Sequence, residues 1–565
     1  MARSVQVAMG GTPADKPPVP FHRKADAVVA DVFDRKSAMQ EQRQAMSVKR
    51  YYLETMGCQM NVLDSELVAG RLRALGYEAA AAPAEADVVL INTCSVRRHA
   101  EDKVYSRLGE LGRLKHRRPA MVIGVIGCMA ERDPEGLLAR CGHVDLLCGP
   151  NQIAKIPSLI QDVLAGRKGE RSLSDVVAPV GPADSDQSGS AGRSRGGRPS
   201  PYPYRAIALA QNRSRRLSPE ERSLSFDELE ALDVSRDTRD TGSVLQAYVR
   251  VQRGCDKFCA FCVVPFTRGP EVSRPPAHIV EETRRLAEAG AKEITLLGQT
   301  VNSYSYRENG RTVRFAELLE RVHAVPGVER LRFVTSYPGD FRDDILHAMR
   351  DLPKLCEYLH IPAQSGSNAV LQRMRRQYTV EQYVDLIDRA RDIVPDIALA
   401  GDFIVGFSGE TDEEFEQTVA LMERVRYKNV FVFRYSARPG TAADRRLPDD
   451  VPTEVKRLRN TRLLELQERI SRQDNQRLVG RTLEVLVEGF SKAAIRAQEA
   501  EPARGGEVGW RRPDQLTGRT RGDQIVVFAG TDSLIGRFVN VRITSATALT
   551  LHGEVVQSAE LRVQS

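Results

Sequence analysis

From Gln246 to about Arg445 one unit repeats along the chain: a short apolar, β-prone run, then a helical stretch. The strand-like runs are Ala247–Gln252, Glu293–Leu297, Leu331–Thr335, Tyr358–Ile361, Ala398–Val405 and Val430–Tyr435. Between them lie helical patterns such as Ala277–Ala289, Phe315–His323, Val380–Ile393 and Glu413–Val425. Strands joined through helices run parallel, because a tight hairpin reverses the chain. Five or six such units in succession predict a parallel (βα) barrel, open or closed. In such barrels the loops at the C-terminal ends of the strands carry the chemistry.

The first of those loops contains Cys255-Asp-Lys-Phe-Cys259-Ala-Phe-Cys262. Three thiols at this spacing can hold three irons of a cubane cluster and leave the fourth open to an outside ligand, whereas clusters normally take four cysteines. An open iron is a place for a small molecule to bind and react. Zinc is the alternative reading. Structural zinc wants four closed ligands, usually as Cys or His doublets, and the nearest downstream histidine is His278.

A second α/β region precedes the barrel, over 49–165. Tyr51–Glu54, Asp87–Asn92 and Met121–Ile126 read as strands and Asp64–Leu75 as a helix, which predicts a mainly parallel sheet. Cys58, Cys94 and Cys128 each follow one of those strands. In a parallel sheet these ends lie side by side, so three distant thiols can converge on one point. Gly57, Thr93 and Gly127 beside them are small enough to let a bulky cofactor approach the backbone. Taken singly, each thiol could be an ordinary buried cysteine. Cys141, Cys148 and Cys356 have no such company and read as structural.

The remaining segments differ in composition. Residues 1–48 read as a disordered tail. Residues 166–242 read as a low-complexity linker, with Ser, Gly, Pro and Arg concentrated in Asp184–Pro203 and a short helix around Ser225–Leu232. Thr453–Leu478 is a charged helix with Lys456, Arg457, Arg459, Arg462, Arg469, Arg472 and Arg477 interleaved with acids, expected to be solvated. Beyond Gly480, alternating runs at Thr482–Val487, Gln524–Phe528 and Arg537–Thr544 predict a small all-β barrel of a kind that often binds RNA. Arg511, Arg512, Arg519 and Arg521 favour that over a purely structural end domain.

The net charge of +7 fits an acidic partner such as RNA. No apolar run approaches ~18 residues, so no membrane partner is expected. Met1–Lys49 lacks an apolar signal core, and Asp15, Asp26, Asp31 and Asp34 argue against a transit peptide; a cytoplasmic protein is expected. Nine cysteines, an odd number, fit thiolate ligation better than disulfides.

With both triplets in view, the chain resembles the radical-SAM methylthiotransferases, and most closely the branch that makes 2-methylthio-N6-dimethylallyladenosine in tRNA (the MiaB family). The resemblance rests on Gly57-Cys-Gln-Met-Asn61, Asn92-Thr-Cys-Ser-Val-Arg97, Gly127-Cys-Met129 and Arg268-Gly-Pro-Glu-Val-Ser-Arg-Pro275. Further matches are Leu297-Gly-Gln-Thr-Val-Asn-Ser-Tyr304, His360-Ile-Pro-Ala-Gln-Ser-Gly-Ser367 and Gly401-Asp-Phe-Ile-Val-Gly-Phe-Ser-Gly-Glu-Thr411. Ser408 stands where family members usually have Pro. The resemblance implies an N-terminal α/β cluster domain (49–165), a radical-SAM partial (βα) barrel (243–474) and a small C-terminal TRAM-like β-barrel (475–558). It also implies two 4Fe-4S clusters, on Cys255, Cys259 and Cys262 and on Cys58, Cys94 and Cys128. S-adenosyl-L-methionine (SAM) would be contacted by Phe261, Gln299, Gln364, Ser365 and Gly366. The expected partners are a tRNA anticodon loop, an electron donor protein and a sulfur source. Two alternatives stay open: the same chemistry on a threonylcarbamoyl-adenosine tRNA or a ribosomal-protein aspartate, and a non-catalytic, metal-stabilised RNA-binding protein.

Overall fold

A computed structural model describes residues 49–95, 98–167, 205–210, 219–236, 245–500 and 514–556. The tail at 1–48 and the Asp184–Pro203 stretch lie outside them. The N-terminal sheet has six strands in the order Glu78–Ala79, Arg50–Met56, Val88–Thr93, Val122–Gly127, Leu146–Cys148, Ala206–Ala208, every pair parallel. Val88–Thr93 and Val122–Gly127 are buried at every position, as expected of central strands covered on both faces. Leu63 and Leu67 of the Gln59–Ala74 helix and Ile156 and Ile160 of the Ile156–Arg167 helix cover one face. Val104 and Leu108 of the Arg98–Arg117 helix cover the other.

The linker reading of 166–242 is corrected here. Ala206–Ala208 completes the N-terminal sheet, and the helix Pro219–Val234 places Leu229 and Leu232 in that domain's core. Its Asp233 is buried at the boundary with the barrel. Apolar spacing on the helix, rather than the polarity of its flanks, decides where this part of the segment goes.

The second domain is an open arc of six parallel strands in two sheets of three: Arg330–Phe333, Glu293–Leu297, Gln246–Arg250, and Tyr358–His360, Ala398–Val405, Asn429–Arg434. A Leu331–Leu355 bridge and a hydrogen bond from Ser336 N to His360 O (3.0 Å) join the sheets. The strand–helix units thus form a partial barrel. The Thr453–Gln476 helix is not simply solvated. Leu463, Leu466 and Ile470 pack into the barrel core, and two of its named cations are buried in ion pairs, Arg459 with Glu410 and Asp412, Lys456 with Asp449. The other face is exposed, with pairs such as Arg462–Glu416 and Arg469–Glu423.

The C-terminal strands Thr482–Phe490, Gln515–Arg519, Ile525–Ala529, Thr550–Val555 and Phe538–Ala546 close into a five-stranded barrel. It docks on the N-terminal ends of the parallel strands, away from the cysteine loop. Arg330 donates to Arg519 O (2.7 Å), Arg332 to Arg521 O (2.7 Å) and Thr520 O (2.6 Å), and Lys428 to Asp523 (3.0 Å). Arg521 in turn grips Glu357 and the Pro353 and Leu355 carbonyls, and Arg519 pairs with Asp523 and Glu488. Of the four arginines read as RNA-facing, Arg521 therefore holds the domains together and Arg519 is paired within its own barrel, and Arg511 and Arg512 lie outside the described residues. Among the described residues no helix is long and apolar enough to cross a membrane.

Candidate functional site

Cys58, Cys94 and Cys128 leave three adjacent strands at one level. Met56 pairs with Thr93 and Thr93 with Gly127, so Cys94 and Cys128 stand just beyond that rung and Cys58 one residue farther. Neighbouring parallel strands are about 4.8 Å apart, a spacing that lets side chains from one rung share a cubane. Cys58 is the N-cap of the Gln59–Ala74 helix and Cys128 opens the helix Cys128–Arg132; helix N-termini favour the thiolate.

A reciprocal amide clamp fixes this arrangement. Asn61 Nδ2 donates to Asn92 Oδ1 (2.8 Å) and Thr93 O (3.0 Å), while Asn92 Nδ2 donates to Asn61 O (2.8 Å) and Ser65 Oγ (2.9 Å). The Cys58 thiol donates to Asn61 Oδ1 (3.2 Å). The clamp also explains the small neighbours. A Cβ at Gly57 would meet the Asn61 side chain at 2.6 Å, and one at Gly127, whose φ is +93°, would meet Asn92 Oδ1 and Thr93 O at 2.5 Å. Thr93 Oγ1 is committed to Ile126 O (2.7 Å). The clamp by itself therefore requires glycine at 57 and 127.

The first triplet is built locally. Gly254 (φ +69°) turns the chain so tightly that a Cβ there would overlap Pro270 O. Cys262 N donates to Cys259 O (3.0 Å) and Ala260 N to Met374 O (2.8 Å), and Ala260 O accepts from Ala443 N (2.8 Å). Arg376 Nη1 donates to Cys259 Sγ (3.2 Å), its guanidinium lying 4.6 Å and 5.0 Å from the Tyr337 and Tyr378 ring centres. Burial pushes Cys255 up to about 11 and Cys262 well above the usual thiol range. By contrast Cys58 is held down to about 6. Its hydrogen bond with Cys94 is the largest cause, and with the Arg268 cation and nearby backbone N–H groups it outweighs opposing burial. Burial pushes Cys128 up, with Arg268 opposing. Among the described residues no three His, Cys, Asp or Glu side chains close on one point as around a single ion.

The residues expected to contact SAM stand in different surroundings. Phe261 stands edge-on to Phe407, ring centres 6.4 Å apart. Gln299 Oε1 is buried without a protein partner, as are both amide atoms of Gln252 on the neighbouring strand. Buried polar groups are rarely left unpaired in a finished site, so these amides fit a polar cofactor. Gln364 adopts φ +69° and bridges to Phe403. Ser365 and Gly366 instead turn onto Thr418 of the Asp412–Val425 helix, Gly366 N donating to its Oγ1 at 2.9 Å.

The two cysteine groups meet across a buried charge network. Asp64, on the Cys58 helix, accepts from Arg250 and Arg268 of the barrel, each at 2.8 Å. Asp233 accepts from Arg250 (2.9 Å) and Arg253, and Arg274 joins Glu230 (2.8 Å) to Glu282 (2.7 Å). Burial would raise Glu230, but Arg274 and His278 hold it at about 2; Asp233 is likewise held below the carboxylate range by Arg250, Arg253 and Arg274. Reading the sequence for cysteines misses Asn61, Asn92, Asp64, Arg268 and Arg376. One signal was available: Asn92 is a lone amide closing the apolar run Val88–Ile91.

Family models match residues 50–149 (Uncharacterized protein family UPF0004), 249–422 (Radical SAM superfamily) and 506–556 (TRAM domain). Among curated proteins, the tRNA-2-methylthio-N(6)-dimethylallyladenosine synthase of Rhodopirellula baltica is 45% identical, covering 90% of this chain and 95% of that one. The enzyme of the same name from Syntrophotalea carbinolica is 40% identical, covering 90% of this chain and 100% of that one.

Proposed function

Since the chain belongs to the family of tRNA-2-methylthio-N(6)-dimethylallyladenosine synthases, radical-SAM methylthiotransferases that modify tRNA, we propose that it methylthiolates carbon 2 of N6-dimethylallyladenosine in the anticodon loop. We assign one 4Fe-4S cluster to Cys255, Cys259 and Cys262 and a second to Cys58, Cys94 and Cys128. With both clusters and SAM bound, the chemistry supplied is radical removal of the carbon-2 hydrogen, insertion of sulfur and its methylation.

The chain's own residues bind, orient and exclude water. Phe261 provides an apolar wall for the cofactor's adenine, and Gln299 offers a buried amide acceptor to its polar groups. Gln364 contributes from the turn that Ser365 and Gly366 anchor on Thr418. The buried interface of Asp64, Arg250 and Arg268 keeps bulk water from between the two cysteine groups. An electron donor protein and a sulfur source complete the partners. The target base leaves the loop stack to reach the strand ends, and loop bases are the easiest to splay out.

The observation that carries this reading is two three-cysteine groups on separate domains that dock through a buried ion pair, Arg268 of the radical-SAM segment with Asp64 of the Cys58 helix. Mass spectrometry of tRNA nucleosides from cells lacking this protein tests it. Loss of the 2-methylthio group with the dimethylallyl group retained is expected; an unchanged nucleoside profile refutes it.

A further inference from the structure

The inward face of the arc is covered along its first sheet and open along its last strands. Side chains alternate along a strand, and neighbours in a parallel ladder share a face. Leu359, Leu399, Phe403, Val405 and Val430 lie in the barrel core. His360, Asp402, Ile404, Phe431 and Phe433 therefore point inward, Asp402 in register with Phe431 and Ile404 with Phe433. Across the arc the inward residues are covered: Arg250 by Asp64 and Asp233, Leu297 by the N-terminal core, Arg332 by the Thr520 and Arg521 carbonyls. On the last strand, by contrast, Phe431 is 46% exposed.

One polar group on the open face is unfinished. His360 closes the strand Tyr358–His360, at the end of the barrel where such folds place their chemistry. Its Nε2 lies 3.3 Å from Asp402 Oδ1, while its Nδ1 is buried with no hydrogen-bond partner among the described residues. A carboxylate only accepts, so it draws the ring proton to Nε2 and in the neutral imidazole leaves Nδ1 an acceptor. Asn429 Oδ1, in register with His360 through Ala400, is likewise buried and without a partner. Asp402 is also tied to the turn expected to hold SAM: Gln364 N donates to its carbonyl (2.8 Å), and Ile404 N donates to Gln364 O (2.9 Å). A ligand that presents one N–H beside an apolar branch matches this face, because the acceptor and the aromatic wall stand on strands two apart, about 10 Å at ~4.8 Å per strand.

We propose that this face selects the target base: His360 Nδ1, set by Asp402, accepts the N6–H of the adenine, and Phe431, Phe433 and Ile404 receive its dimethylallyl group. This deepens the function proposed above and rests on it. A threonylcarbamoyl group is refused at the same place, since its carboxylate would meet apolar rings and the Asp402 carboxylate. Recognition is divided accordingly. The histidine orients any adenine that enters, and the aromatic wall distinguishes the alkylated base from the bare one.

The test measures binding of the full chain, reconstituted with iron and sulfide, to one tRNA in two forms, with and without the dimethylallyl group. Phosphate contacts are common to both forms and cancel in the affinity ratio. Phe431→Ala should reduce the preference for the dimethylallyl form about tenfold. His360→Leu should instead weaken both forms about fivefold and leave the ratio near that of the parent. His360→Asn, which returns an oxygen acceptor close to Nδ1, should regain part of that affinity and shows that the loss is not one of folding. An unchanged ratio in Phe431→Ala overturns the proposal. So does a His360→Leu chain that loses affinity for SAM while holding both tRNAs as tightly as the parent, which would assign the ring to the cofactor. Product formation by the parent separates the two levels: a parent that methylthiolates neither form with SAM and reductant present overturns the function proposed above, and this inference with it.

Discussion

Cys255, Cys259 and Cys262 sit on one loop, each thiol placed by its own neighbours, whereas Cys58, Cys94 and Cys128 are gathered from three strand ends by pairing register. The local triplet needs a left-handed Gly254, a few backbone bonds within and onto the loop, and Arg376 against Cys259. The gathered triplet needs a whole parallel sheet, the Asn61–Asn92 clamp and a cation from another domain. Their electrostatics differ accordingly. Burial dominates the first and raises Cys255 and Cys262; hydrogen bonding and Arg268 dominate at Cys58 and lower it. A ligand set drawn from distant segments depends on everything that holds those segments in register, so it should be more sensitive to remote change.

The sharpest separation comes from single ligands. Cys259→Ala is expected to reduce SAM cleavage to background, read as 5′-deoxyadenosine, while iron falls by about half as one of two clusters is lost. Persistent cleavage would remove the local triplet from the chemistry. Cys94→Ala should leave cleavage in place and eliminate the methylthiolated nucleoside; normal product would mean the gathered triplet is not a sulfur-handling site.

Remote support is tested next. Asp233→Ala leaves Arg250, Arg253 and Arg274 facing one another without their shared carboxylate, and breaking such a buried pair costs about 3–5 kcal/mol. Denaturant unfolding should show that loss, with the gathered cluster released before the local one. Equal release of both would contradict the comparison. Asn61→Ala leaves the buried Asn92 Oδ1 without its donor at about 1–3 kcal/mol, and should lower iron retention at Cys58, Cys94 and Cys128 without affecting SAM cleavage.

The smallest effect is a pH dependence in the metal-free chain. A thiol lowered to about 6 is thiolate above that pH, so Cys58 should be alkylated with a midpoint near pH 6, while Cys255, raised to about 11, stays protonated and slow at neutral pH. Peptide mapping after brief iodoacetamide treatment reads both. Equal labelling at pH 7 would show that the two environments do not differ as described.

Much of this was legible in the residues. Helical segments such as Phe315–His323 and Val380–Ile393 stand as their periodicity dictates, each burying one side, and the apolar runs Glu293–Leu297 and Ala398–Val405 stand as strands buried along almost their whole length. The linker reading of the segment containing Ala206–Ala208 and Asp233 failed because its flanks are polar while its anchoring contacts are few and distant. Arg519 and Arg521 looked like RNA contacts because sequence reports charge and not what faces it; the parallel barrel supplies Glu357 and open carbonyls to Arg521, and Arg519 finds Asp523 and Glu488 in its own barrel.

The sequence by itself determined the chemistry available: six thiols in two groups, strand ends to carry them, and a family signature that names the reaction. Only the tertiary structure decided which polar residues serve those thiols. A hydrogen bond such as that between Asn61 and Asn92, or between Arg268 and Asp64, joins residues whose separation along the chain is large. Their proximity follows from strand register and domain docking, and neither leaves a local mark in the residues that depend on it.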